Sequence, residues 1–155
     1  RARNDGIHPP ADYATQAVDR GGGLTWHGPG QLVVYPIIHW DKTDENSVAA
    51  IIHKLEAWVI ESLATLGVDG YRDERMQGVW VGEKKICSIG LSFLRWVSRH
   101  GFTINYDTPI GRVENLAGCG LTESTTTSLN RLNHSVSRHD LEQALLSTYH
   151  HCLNR

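Results

Sequence analysis

Cysteine is scarce in this 155-residue chain, which holds three, at Cys87, Cys119 and Cys152. No disulfide scheme pairs all three, and none of them forms the CxxC doublets of a zinc ribbon or a redox pair, so a reduced, cytoplasmic compartment is expected. A charge bias is lacking too. Fifteen basic residues meet 17 acidic ones for a formal charge of −2, a field too weak to recruit nucleic acid or a membrane surface. No apolar run approaches the roughly 20 residues that span a bilayer. Nine histidines are present but scattered, with no ligand spacing for a metal. Without repeats or a dividing linker, residues 1–155 read as one domain.

What is present is an alternation of strand-like and helical patterns. Gln31–Trp40 (QLVVYPIIHW) is β-branched and aromatic, with Pro36 marking an end or a bulge. From Val48 to Leu66, apolar residues recur at helical spacing, with Asn46 or Ser47 as cap and Gly67 as stop. Gly78–Phe93 reads as two short strands around a polar turn from Gly82 to Lys85, and Gly101–Asp107 as a third. Thr108–Asn133 is a long Gly/Thr/Ser-rich connection and therefore a candidate functional loop. A last helix follows, capped by Ser137 with Asp140 and striped by Leu141, Leu145, Tyr149, Cys152 and Leu153. The order predicts an α+β fold, a mixed, mainly antiparallel sheet with helices packed on one face. With no heptads and no exposed apolar stripe, a monomer is expected.

Three places stand out chemically. In Arg20–Gln31 (RGGGLTWHGPGQ), five of twelve positions are glycine. Such a run is either a tight turn before a strand or a place where backbone N–H groups approach a ligand, with Arg20, Thr25 and His27 adding side-chain donors. It matches neither a Walker loop nor a dinucleotide fingerprint, so nucleotide binding is not implied. Lys84 and Lys85 are either a solvated hairpin tip or, if one faces a cleft, a proton acceptor that also stabilises a thiolate. Cys119, flanked by Gly118 and Gly120, is placed like a nucleophile, since glycines clear space for an acyl group and offer N–H donors to an oxyanion. Cys87 and Cys152 read as packing residues. The Ser/Thr cluster Thr122–Ser128 reads as a cap for a turn or helix.

RGGGLTWHGPGQLVVYPI, KKICSIG, HGFTINYD and GCGLTESTTTSL, in this order, resemble the lipoate-biosynthesis octanoyltransferases, the lipoate-protein ligase B family. The resemblance runs from about Val18 to the last helix. It implies the fold of biotin and lipoate protein ligases and an enzyme that moves an octanoyl group from octanoyl-acyl carrier protein to a lysine of a lipoyl domain. The acceptors would be the E2 subunits of 2-oxoacid dehydrogenases and the glycine cleavage H protein. The family's acyl-thioester cysteine falls on Cys119 and its essential lysine on Lys85. Its substrate-contacting segments fall on Arg20, Gly21, Gly22, Gly23, Leu24, Thr25, Trp26 and His27, on Ser88, Ile89 and Gly90, and on Gly101, Phe102 and Thr103. No cofactor and no metal is implied. Family members carry some fifty or more residues before the RGG motif, where nineteen precede Arg20 here, so a catalytic domain lacking its N-terminal part is expected.

In the chemistry so implied, Lys85 lowers the Cys119 pKa or takes its proton, and the thiolate attacks the octanoyl thioester. The lysine amine of the acceptor then attacks the acyl-enzyme. Thioester exchange is nearly balanced in energy, so no ATP is needed. Leu24, Ile89 and Phe102 are the expected lining for the acyl chain. The rivals are an ATP-dependent lipoate or biotin ligase of the same fold, a lipoyl amidotransferase, and an inactive acyl-carrier-binding fragment.

Overall fold

The computed structural model describes residues 13–116 and 124–155. Strand β1 is Gln31–Val34, helix α1 Val48–Thr65, β2 Tyr71–Asp73, β3 Met76–Val81, β4 Lys84–Leu94, β5 Val97–Asn105 and helix α2 Arg138–Leu153. A 3₁₀ turn at Leu129–Leu132 precedes α2. The five strands form one antiparallel sheet in the order β1-β5-β4-β3-β2.

Both helices start where the sequence places their caps. The Ser47 hydroxyl accepts the Ala50 N–H, and Ser137 with Asp140 closes a reciprocal capping box. Helix α1 ends at Leu66, where Gly67 turns into the left-handed region at φ 71°. The helices pack on each other and on one sheet face. Trp58 donates to the Leu145 carbonyl at 3.0 Å, and the Ser62 and Thr148 hydroxyls meet at 2.8 Å. Ile51, Leu55, Val59 and Leu63 of α1 and Leu141 and Leu145 of α2 share one core with Leu32, Val79, Ile86, Cys87 and Ile104 of the sheet. The Trp58 ring meets Phe102 edge-on, centroids 5.5 Å apart.

Several strand boundaries differ from the sequence reading. The run from Gln31 loses its regular ladder after Val34, yet His39 still bridges Val97 in the register that pairs Val34 with Phe102. The chain thus keeps its course along β5, and Pro36, which has no N–H to give, interrupts only the bonding. The hairpin turn is Gly82–Glu83, so β4 already contains both lysines and runs for 11 residues. β5 begins at Val97, before Gly101, and the three-residue strand β2 lies where no strand is expected.

The sheet's other face carries the alternate residues. Gln31 and Val33 of β1 pair with Asn105 and Thr103 of β5, and Thr103 and Gly101 pair with Ser88 and Gly90 of β4. Simple alternation would send Lys85 to the core with Cys87. A bulge prevents this: Val79 pairs with Cys87 but Trp80 with Lys85, so Ile86 is the extra residue. Ile86 and Cys87 are both fully buried in the core, and Lys85 turns to the face that carries Ser88.

Candidate acyl-transfer site

That second face forms the floor of a cavity of about 370 Å³, within the range of small-molecule sites. The glycine-rich segment forms its wall. Arg20 through His27, Lys85, Ser88, Ile89, Gly90, Gly101, Phe102 and Thr103 all line it, so every sequence-predicted site residue among those described comes together there. Cys119, and with it Thr122, lies outside the described residues.

Lys85 is only 5% exposed and is not at a solvated tip. Its backbone is fixed on both sides: its N–H donates to the Thr125 carbonyl and its carbonyl accepts from Thr127, each at 2.9 Å, a short parallel bridge to the far end of the long loop. Its side chain passes over Gly78, where a Cβ would stand 2.8 Å from Lys85 Cε and would overlap the Cys87 carbonyl. Gly78 also adopts φ 125°, and its N–H donates to Glu56 at 2.8 Å. Glu56 is buried on α1 and accepts a second bond from Arg72 at 2.9 Å. Neighbouring Lys84 parts company with Lys85 and caps the Ser124 carbonyl at 2.8 Å.

The glycine-rich wall is shaped by its own side chains. Arg20 donates to the carbonyls of Gly21 and Gly23 and to the Thr25 hydroxyl, curling the segment around its guanidinium. The Gly21 N–H donates to the Leu91 carbonyl at 3.1 Å, which joins wall to floor. Gly90 makes room at this junction, since a Cβ there would come within 3.0 Å of Arg20 Cδ and of the Gly21 carbonyl. Gly101 has a second duty besides lining the cavity: a Cβ would overlap the Val34 carbonyl and press on the Pro36 ring.

The other thiols match their packing role. Burial pushes the Cys87 thiol up to about 12, and burial together with a hydrogen bond to Glu61 pushes Cys152 up to about 11. Sequence reasoning missed Gln31, Met76, Asn105, Val113 and Thr126, which also line the cavity. Gln31 ends the quoted RGGGLTWHGPGQ string and Asn105 alternates with Gly101 and Thr103, so a strand-face reading of both segments would have found them. Among the described residues no cluster of metal ligands occurs, and no helix is long and apolar enough to cross a membrane.

A family model of the lipoyl protein ligase A/B catalytic domain matches residues 9–150. The chain belongs to this family. It is 36% identical over 151 residues to an octanoyltransferase of Caldanaerobacter subterraneus subsp. tengcongensis, covering 94% of this chain and 66% of the relative. It is 38% identical over 144 residues to an octanoyltransferase of Zymomonas mobilis, covering 90% of this chain and 66% of the relative. The chain thus spans just under two thirds of the length of these relatives. Among solved structures, a bipartite lipoate protein ligase from Thermoplasma acidophilum has a TM-score of 0.66 at 19% identity, covering 87% of this chain and 56% of that one. A biotin protein ligase from Aquifex aeolicus has a TM-score of 0.63 at 16% identity, covering 81% and 53%. These similarities establish the α+β ligase-like fold that the sequence predicts.

Proposed function

We propose that the protein is an octanoyltransferase of protein lipoylation, taking the octanoyl group from octanoyl-acyl carrier protein and delivering it to a lysine of a lipoyl domain. The observation that carries this reading is Lys85, 5% exposed on the floor of a partly apolar cavity beside the loop that contains Cys119 in sequence. Leu116 and Thr126, which bracket residues 117–123, both line that cavity. The curated relatives named octanoyltransferase, at 36–38% identity, support this reaction, while the solved ligase structures, below 20% identity, support the fold.

In this reading Cys119 is the nucleophile and Lys85 the proton acceptor. A free thiol has a pKa near 8.5 and is mostly protonated at neutral pH. Lys85 takes the proton, the Cys119 sulfur attacks the octanoyl thioester, and the carrier's thiol departs with a proton. The amine of the acceptor lysine then attacks the Cys119 thioester, an amide forms, and the thiol is restored. Backbone N–H groups of the glycine-rich wall and of the Cys119 segment stabilise the oxyanions. Leu24 and Trp26 of the wall receive the eight-carbon chain, while Ile89 and Phe102 border the cavity through their backbone and send their side chains into the core between the floor residues Ser88, Gly90, Gly101 and Thr103.

The test is intact-protein mass after incubation with octanoyl-acyl carrier protein in the absence of ATP. An octanoyl adduct released by hydroxylamine on the wild type and absent from Cys119→Ala is the expected result. A folded wild type that gains no adduct without ATP overturns the proposal.

A further inference from the structure

A chain of hydrogen bonds crosses the cavity from its wall to its floor. Arg20 donates to the Thr25 hydroxyl, whose oxygen lies 3.3 Å from His27 Nε2. His27 Nδ1 lies 2.7 Å from Gln31 Oε1, Gln31 Nε2 donates to Asn105 Oδ1 at 2.8 Å, and Asn105 Nδ2 donates to the Thr127 carbonyl at 3.1 Å. The direction of each bond follows from groups that have no choice. The Thr127 carbonyl can only accept, which fixes the Asn105 amide. The Trp26 carbonyl, 3.1 Å from Gln31 Nε2, can only accept, which fixes the Gln31 amide independently. Gln31 therefore turns its oxygen to His27, and Nδ1 must carry the proton. At the other end Arg20 can only donate, so the Thr25 oxygen is an acceptor there and its one hydrogen is left for Nε2.

We propose that Gln31 and Asn105 are positioning residues that hold His27 as the Nδ1–H imidazole, leaving Nε2 as a hydrogen-bond acceptor for an N–H of the incoming amine. The 3.3 Å bond from Thr25 is the long one in the chain, and hence the one that a better donor displaces. An Nε2–H imidazole in the same place would donate to the amine's lone pair and mask the electrons that attack the thioester. The far end of the chain is tied to the lysine: Thr127, whose carbonyl anchors Asn105, donates its own N–H to Lys85. The proton assignment stands on the hydrogen bonds alone; the identity of the amine rests on the proposed function.

Long-range proton–nitrogen correlation on protein labelled with ¹⁵N-histidine tests it, recorded near pH 8, above the usual imidazole pKa of about 6.5. His27 is assigned by the signal lost in His27→Asn. The expected wild-type pattern is a protonated Nδ1 and a bare Nε2. Gln31→Leu removes the oxygen that accepts from Nδ1 and abolishes the pattern, and Gln31→Glu, whose second oxygen faces the Trp26 carbonyl and Asn105 Oδ1 with no donor to give them, does not stand in for the amide. A protonated Nε2 in the wild type, or an unchanged pattern in Gln31→Leu, overturns the proposal. In the acyl-transfer assay, Gln31→Leu should slow release of the octanoyl group to an amine acceptor by about tenfold and leave formation of the acyl-enzyme within about twofold. Equal slowing of both steps overturns the amine-acceptor role. A protonated Nδ1 in a protein that forms no acyl-enzyme supports the positioning and removes the octanoyltransferase reading instead.

Discussion

Gly78 supports the Lys85 side chain: the lysine's Cε rests over a residue on which a Cβ would stand only 2.8 Å away. The same glycine is anchored from α1 by Glu56, so helix packing and lysine placement share one hinge residue. Gly78→Ala meets both a backbone overlap and an unfavourable φ of 125°. It should cost about 3 kcal/mol in chemical denaturation and lower the rate of acyl-enzyme formation in the fraction that remains folded.

Replacing Lys85 itself should separate chemistry from stability. Lys85→Met removes the amine and keeps the length and packing of the stem, so a variant that still folds by circular dichroism reports on the chemistry. Acyl-enzyme formation should fall about 10²- to 10⁴-fold. Lys85→Arg should fare no better, because a guanidinium does not give up its proton at neutral pH. Wild-type rates in either variant would remove Lys85 from the reaction.

Thiol chemistry distinguishes the three cysteines. With Cys87 pushed up to about 12 and Cys152 up to about 11, fewer than about one thiol in a thousand is ionised at either at pH 7.5. Iodoacetamide should therefore label Cys119 first, and peptide mapping should find the fast-reacting site gone in Cys119→Ala. Equal labelling of all three in the native protein would contradict the assignment of the nucleophile.

Glu45 contributes to the acid sensitivity of the fold. Its carboxyl is buried between Arg155, at 2.6 and 2.8 Å, and Lys54, at 2.9 Å. Its pKa is lowered from 4.5 to about 2, chiefly by Arg155 and against the cost of burial. Because the folded value lies below the unfolded one, this stabilisation is full above about pH 4.5 and drains away as pH falls toward 2. Glu45→Gln should cost about 2 kcal/mol at neutral pH and flatten the stability profile across that window, as measured by urea midpoints from pH 2 to 7.

The helices were legible because their ends are written locally: Ser47, Gly67 and the Ser137–Asp140 box each act within four residues. The glycine-rich wall was legible from its composition. The position of Lys85 was not, because the bulge that turns it into the cavity inserts Ile86, a residue that looks like any other β-branched strand position. β2 is three residues, Tyr-Arg-Asp, with no apolar alternation to announce it. Gln31 and Asn105 lie 74 residues apart, and nothing local to either shows that β1 and β5 will set them side by side.

Phe102 borders the cavity on one side and meets the Trp58 ring on the other. Phe102 shares its strand with Gly101 and Thr103 of the cavity floor, so a shift of that strand reaches an indole that is itself shielded from water, 8% exposed and hydrogen-bonded to Leu145. With Trp26 in the cavity wall and Trp58 behind the floor, indole emission should respond on both sides of the sheet when the cavity fills.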